Sequence, residues 1–210
     1  MTNSEVEEFW EGHYQQRDRI WSGRANAVLV DVAGPLTPGS ALDLGCGEGG
    51  DAVWLAGRGW RVTAVDVSGT ALRRAATGAA EAGVQERIDF QQLDLATAFP
   101  AGRFDLVSAQ FLQSPVELPR ERVLSRAAQA VAPGGLLLVV EHGAFPPWSR
   151  HAHAHAHTHF PTPQETFDAL DLPQGLWRTE RLASAERQAT GPDGQQAVLT
   201  DNVIALRRVT

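Results

Sequence analysis

Asp43-Leu44-Gly45-Cys46-Gly47-Glu48-Gly49-Gly50 decides how the rest of the chain is read. Ala41-Leu42 precede it and Ala52-Val53-Trp54-Leu55-Ala56 follow, so it is the turn between a short strand and a helix. Glycine carries no side chain, so ligand atoms can lie directly on the backbone there. The N–H groups that open the helix attract acidic ligand groups. The next apolar run outward, Arg61-Val62-Thr63-Ala64-Val65, ends at Asp66. A carboxylate at the tip of a second strand can hold both hydroxyls of a ribose. Together these features point to a nucleotide-like cofactor.

Strands and helices alternate on either side of this turn. A helix is predicted over residues 4–18, where Val6, Phe9, Trp10 and His13 recur at helical spacing, and a second from Asn26 to Val32. Strands are predicted at Ala41–Leu44, Val62–Asp66, Ile88–Leu93, Phe104–Gln110 and Gly135–Glu141. Helices are predicted between them at Gly50–Gly57, from the cap Ser68 to Ala82, and at Glu121–Val131, closed by Pro133-Gly134-Gly135. Such alternation implies a parallel sheet with right-handed crossovers. The end of the chain breaks the pattern. Trp177–Thr190 and Gln196–Val209 both read as strands, and Gly191-Pro192-Asp193-Gly194 between them is a turn signal, so they are expected to pair as an antiparallel hairpin.

Two cofactor classes compete for the glycine turn. Gly45-Cys46-Gly47-Glu48-Gly49-Gly50 fits the dinucleotide pattern G-x-G-x-x-G, which leaves an NAD-dependent oxidoreductase as one reading. Asp43, two residues before the first glycine, extends the pattern to D-x-G-x-G-x-G. In that form it resembles the first motif of the class I S-adenosylmethionine (SAM) methyltransferases. The terminal hairpin favours this resemblance, since dinucleotide-binding sheets usually end in a sixth parallel strand. The resemblance runs from Ala41 to the C-terminus. It implies an α/β, Rossmann-like three-layer sandwich: a mainly parallel seven-stranded sheet finished by a C-terminal antiparallel hairpin. It also implies SAM as cofactor and methyl transfer to a small-molecule nucleophile, a thiol or chalcogen, nitrogen or oxygen centre. A non-catalytic SAM- or metal-binding sensor stays open beside it.

The resemblance assigns residues in order. Gly45 and Gly47 admit the methionine portion, and Asp43 faces its ammonium or a bridging water. Asp66 binds the ribose, Val67 touches the adenine face, and Asp94 and Leu95 lie beside the adenine amine. Gln110 lies under the methyl group. Trp10, Tyr14, Trp21-Ser22-Gly23-Arg24 and Asn26 are similar to small bacterial methyltransferases of the tellurite-resistance and thiopurine type, whose N-terminal segment covers the cofactor. Residues 1–38 are accordingly expected to form a helical lid, with Trp21 and Arg24 touching the cofactor. His142, directly after the fifth strand, is the candidate general base, with His13 and Tyr14 as secondary ones.

His151, His153, His155, His157 and His159 alternate with small residues inside the expected substrate insertion, 142–165. Extended, they project from one face, and imidazole suits zinc, nickel or copper. They are candidate ligands for a divalent metal, against the readings of a low-complexity loop and of substrate binding by one or two of them.

The chain's 210 residues suit one domain over 1–210, and the formal net charge of −7 argues against a nucleic-acid substrate. All 18 basic residues are arginine, and Cys46 is the single cysteine, so no intrachain disulfide forms. No apolar run reaches membrane-spanning length, and the acidic N-terminus does not read as a secretory signal. The expectation is a cytoplasmic monomer or homodimer with no membrane or nucleic-acid partner.

Overall fold

The computed structural model describes residues 5–149, 159–191 and 193–209. Its strands are β1 (Ser40–Leu44), β2 (Arg61–Asp66), β3 (Ile88–Gln92), β4 (Phe104–Gln110), β5 (Val131–His142), β6 (Trp177–Thr190) and β7 (Gln196–Arg208). Its α-helices are α1 (Glu5–Gln15), α2 (Ala27–Ala33), α3 (Gly50–Gly57), α4 (Gly69–Glu81), α5 (Arg120–Gln129) and α6 (Pro163–Ala169). The strands form one sheet in the order β3-β2-β1-β4-β5-β7-β6. The first five pair in parallel, and β7 runs antiparallel to both neighbours, β5 and β6. The terminal hairpin therefore does not simply extend the sheet. Its second strand inserts between β5 and its first.

The apolar run of β5 shows why the sheet is covered on both faces. Leu137 and Val139 pack with Val123, Leu124 and Ala127 of α5. Leu136, Leu138 and Val140 pack on the other side with Leu29 of α2 and Leu55 of α3. Side chains alternate across a strand, so one unbroken apolar run supplies two cores. Each fully buried leucine contributes about 1.5–3 kcal/mol. Helices as short as α2 and α3 rely on that packing, since isolated helices of this length are marginal in water.

Two local differences from the sequence reading have physical causes. Pro133-Gly134-Gly135 does not close the helix, which ends at Gln129. β5 already pairs at Val131 with Phe104, then shifts register to set Leu136 opposite Leu106, so the glycines form an irregularity inside a longer strand. The expected insertion 142–165 also runs into a helix, α6. Thr162 caps it by accepting from Glu165 N, Glu165 reaches back to the Thr162 backbone, and Pro163 fills the first turn. That is a capping box written in the sequence.

Candidate functional site

A cleft of about 1000 Å³ opens along the carboxyl ends of the parallel strands, at the upper end of the usual range for small-molecule sites. Gly45, Gly47 and Gly49 all have positive φ (69°, 53° and 81°). A Cβ on Gly47 would lie 2.9 Å from the Tyr14 hydroxyl, and one on Gly49 would lie 2.7 Å from Ala75 Cβ. The second glycine thus keeps the cleft floor open under α1, while the third lets α4 close on the loop. Asp66 Oδ2 accepts from Gly47 N and its Oδ1 from Ser68 N, both at 2.9 Å. Each oxygen keeps a lone pair for a ligand hydroxyl.

The charges of this floor are unbalanced. Asp43 is 2% exposed, and its Oδ2 has no hydrogen-bond partner. Burial, with Asp51 and Asp66 close by, raises its pKa well above the ordinary range. Burial likewise raises Asp66, against hydrogen bonds from Ser68 and Gly47. It raises Asp51 to about 6, although Asp51 accepts from Asn26 N at 2.6 Å. Among the described residues none of these three carboxylates pairs with a cationic side chain, an arrangement that suits a positively charged ligand. Cys46 is no nucleophile here: burial and the same carboxylates push its thiol well up, so it stays protonated.

The N-terminal segment covers the cleft and is tied down by two acids. Glu48, inside the glycine turn, accepts from Ile20 N and Trp21 N (3.0 and 2.8 Å to Oε2) and pairs with Arg74 at 2.8 Å. Glu11 on α1 accepts from the Ser68 hydroxyl at 2.6 Å and from Thr70 N at 3.1 Å at the start of α4. Burial works against its charge, but the hydrogen bonds from Ser68 and Thr70 outweigh that and hold Glu11 at about 2. Trp10, His13, Tyr14 and Trp21 form one ring cluster, in which Trp21 Nε1 donates to the Tyr14 hydroxyl at 3.2 Å. Burial raises the Tyr14 phenol and lowers His13. Tyr14 is therefore a proton holder, and His13 is a neutral ring with a buried, unpartnered Nε2.

The far end of the cleft lies beside β5. His142 stacks on Phe111, with centroids 4.2 Å apart and rings 22° from parallel. Its backbone N donates to Gln113 Oε1 at 2.9 Å. Its Nδ1 lies 3.6 Å from Asp201 Oδ1, and the other Asp201 oxygen accepts from Arg187 Nε. Burial disfavours the Asp201 charge, but His142 and Arg187 prevail and hold its pKa below the ordinary value. Phe111 has φ 53°, an uncommon conformation for a bulky residue, which turns its ring under His142. Between the two ends, Gln110 Nε2 donates to the Ser108 hydroxyl at 2.9 Å, and its Oε1 is buried without a partner.

The sequence-predicted residues Trp21, Arg24, Asp43, Gly45, Gly47 and Asp66 line this one cleft, as do Val67, Asp94, Leu95, Gln110 and His142. Asp94 also turns the chain, accepting from Ala96 N at 2.8 Å. Sequence reasoning missed Glu11, Glu48, Asp51, Arg187 and Asp201. Of the histidine run only His159 lies among the described residues, and it does not line the cleft. His151, His153, His155 and His157 lie outside the described residues. His159 is exposed and pairs with Glu165 at 3.2 Å. Among the described residues no group of three or more histidine, cysteine or acidic side chains is arranged to hold a metal ion. No helix among them is long and apolar enough to cross a membrane.

Comparison with known proteins agrees with this geometry. A family profile described as "Methyltransferase domain" matches residues 41–135. The 2-heptyl-1-hydroxyquinolin-4(1H)-one methyltransferase of Mycobacteroides abscessus is 32% identical over 164 residues, which cover 75% of this chain and 66% of that protein. The chain spans 34% to 66% of the length of the first curated relatives it matches. A solved structure described as "Conversion of a Disulfide Bond into a Thioacetal Group during Echinomycin Biosynthesis" superposes with TM-score 0.70 at 25% identity, over 96% of this chain and 92% of that one. TehB from Haemophilus influenzae superposes with TM-score 0.70 at 16% identity, over 94% of this chain and 66% of that one, a likeness of fold.

Proposed function

The chain belongs to the class I SAM-dependent methyltransferase family, and on that premise we propose that it methylates a small-molecule nucleophile. The observation that carries this reading is the orphaned Oδ2 of Asp43, buried beside Asp51 and Asp66 over a glycine floor that tolerates no Cβ. A ligand with an ammonium, a sulfonium and a ribose meets each of those features. When bound, SAM supplies a methyl group on a positively charged sulfur, already an excellent leaving group.

The chain's own residues then have distinct tasks. Asp43 takes the ammonium, and Gly45 and Gly47 let the ligand lie on the backbone. Asp66 accepts from the ribose hydroxyls, and Val67, Asp94 and Leu95 wall the adenine. Gln110 offers its free Oε1 at the middle of the cleft. Trp21, held by Glu48 and by the ring cluster, closes the top together with Arg24 and excludes water. His142 takes a proton from an acceptor that carries one.

The acceptor is an oxygen, nitrogen or sulfur centre of a small molecule. The quinolone relative is named for a flat heteroaromatic substrate, and the echinomycin neighbour for sulfur chemistry. Either fits a cleft walled by Phe111, His142 and Trp148. Calorimetry with S-adenosylhomocysteine tests the reading. Micromolar binding that is lost in Asp43→Asn is expected, and absence of binding by the unaltered protein would overturn it.

A further inference from the structure

The hairpin strands carry groups that the sheet register aims at His142. In β5 and β7, His142 stands directly opposite Asp201. In β6 and β7, Asp201 stands opposite Ala185, so Arg187 is its diagonal neighbour on the same face. Arg187 Nε donates to one Asp201 oxygen. The other oxygen, buried and without a hydrogen-bond partner, faces His142 Nδ1 at 3.6 Å. Arg187 also lies over the Phe111 ring, 5.8 Å from its centroid, and Phe111 covers one face of the imidazole. The imidazole is therefore constrained by a ring on its face, a carboxylate at Nδ1 and Gln113 at its backbone N.

From this register we infer that Asp201, oriented by Arg187, positions His142 with its proton on Nδ1, and that the acceptor is a hydroxyl on a flat conjugated ring. The inference rests on the methyl-transfer reading and decides among its acceptor classes. An unpartnered buried carboxylate oxygen gains most when its neighbour becomes an imidazolium, so the arrangement stabilises the outcome of proton abstraction more than the resting ring. A thiolate or selenolate needs no such help, because it is already ionised near neutral pH. A ring hydroxyl does need it. Its proton passes to Nε2 of His142 as an oxygen lone pair forms the O–CH3 bond. The electron pair of the broken carbon–sulfur bond stays on sulfur, giving the neutral thioether S-adenosylhomocysteine, and the imidazolium later releases its proton to solvent. The Phe111 and Trp148 side chains in the same cleft suit a planar skeleton.

The test uses the full chain and two acceptors of one skeleton, a hydroxyquinoline and the corresponding mercaptoquinoline, with S-adenosylhomocysteine formation as the readout. Asp201→Asn is expected to lower kcat on the hydroxyl acceptor about 100-fold, with KM changed less than about threefold. On the ionised thiol it is expected to change kcat less than about threefold, and Asp201→Glu recovers part of the loss on the hydroxyl. Nitrogen-15 NMR of the unaltered protein, saturated with S-adenosylhomocysteine, is expected to show the His142 proton on Nδ1. A proton on Nε2, or equal losses on both acceptors, overturns the positioning role. Turnover of the thiol alone, or of neither acceptor, overturns the acceptor class. Calorimetric binding of S-adenosylhomocysteine separates these failures from failure of the methyl-transfer reading, which predicts that binding whatever the acceptor.

Discussion

At one end of the cleft, Asp43, Gly45, Gly47 and Asp66 come from two neighbouring strand tips and a single turn. At the other end, Phe111, His142 and Arg187, with Asp201 buried against His142, come from residues after or within β4, β5, β6 and β7, and only strand pairing brings them together. On the proposed function, the first end would bind by backbone shape and a cluster of carboxylates. The second would work, on the inference drawn above, by side-chain register across an antiparallel pair. The difference separates what a short motif can encode from what a whole sheet must be folded to create. It also predicts that the two ends fail in different ways when altered.

The largest expected effect is at the first end. Asp66→Ala removes the proposed acceptor for ribose hydroxyls and frees the N–H groups of Gly47 and Ser68. Calorimetry with S-adenosylhomocysteine should show a loss of affinity of about 100-fold. A loss below about threefold would mean that the two ends do not divide the labour as described. Arg187→Ala supplies the opposite case. It should cost about tenfold in kcat on a hydroxyl acceptor and leave affinity for S-adenosylhomocysteine within about twofold. If binding falls as far as turnover, the ends are not independent.

Acidity sharpens the comparison further. Asp51 has a folded pKa raised to about 6 from an ordinary 3.8. Its contribution to the empty protein's stability is therefore complete below about 3.8 and lost as pH rises through about 6. Binding of a cation runs the other way, because it needs the carboxylates ionised. Affinity for SAM should rise across pH 5 to 7, by about threefold to tenfold, and Asp51→Asn should flatten that rise. Titration calorimetry at several pH values would show both, and an unchanged slope in the variant would remove Asp51 from the account.

The smallest effect belongs to the covering segment. Glu11 has a folded pKa of about 2, below its ordinary 4.5. Its contribution is complete above about 4.5 and lost only as pH falls through about 2. Glu11→Gln should loosen α1 at neutral pH by a few tenths of a kcal/mol to about 1 kcal/mol. The expected sign is faster amide exchange in residues 5–15, with the exchange of β5 unaltered.

Legibility in the sequence followed the same division. The glycine turn, Asp66 and the parallel alternation could be read directly, because each depends on residues within one strand–turn–helix unit. The hairpin could be read too, since Gly191-Pro192-Asp193-Gly194 sits between two long strand-like runs. Its insertion of β7 beside β5 could not, because turn chemistry does not say which edge a hairpin docks on. Asp201 and Arg187 were hidden for that reason: on an isolated strand they are ordinary charged residues. Glu48 was hidden inside the motif itself, as a variable position between glycines. The start of α6 was legible and overlooked, since Thr162-Pro163-Gln164-Glu165 carries a capping box beside the more conspicuous histidines.

Glu141 and His142 are adjacent on β5, and the pleat sends them to opposite sides of the sheet. Glu141 meets Arg120 and accepts from the Thr166 hydroxyl at 2.9 Å in the layer of α5 and α6, while His142 lines the cleft. Deleting or adding a single residue upstream in β5 would trade their places. A carboxylate would then face the acceptor's end of the cleft, and an imidazole would be pressed against a guanidinium. Parity of the strand is therefore a condition on chemistry. Hairpin positions other than Arg187 and Asp201 can change to suit new acceptors, but the count of residues leading to the end of β5 admits changes only in twos.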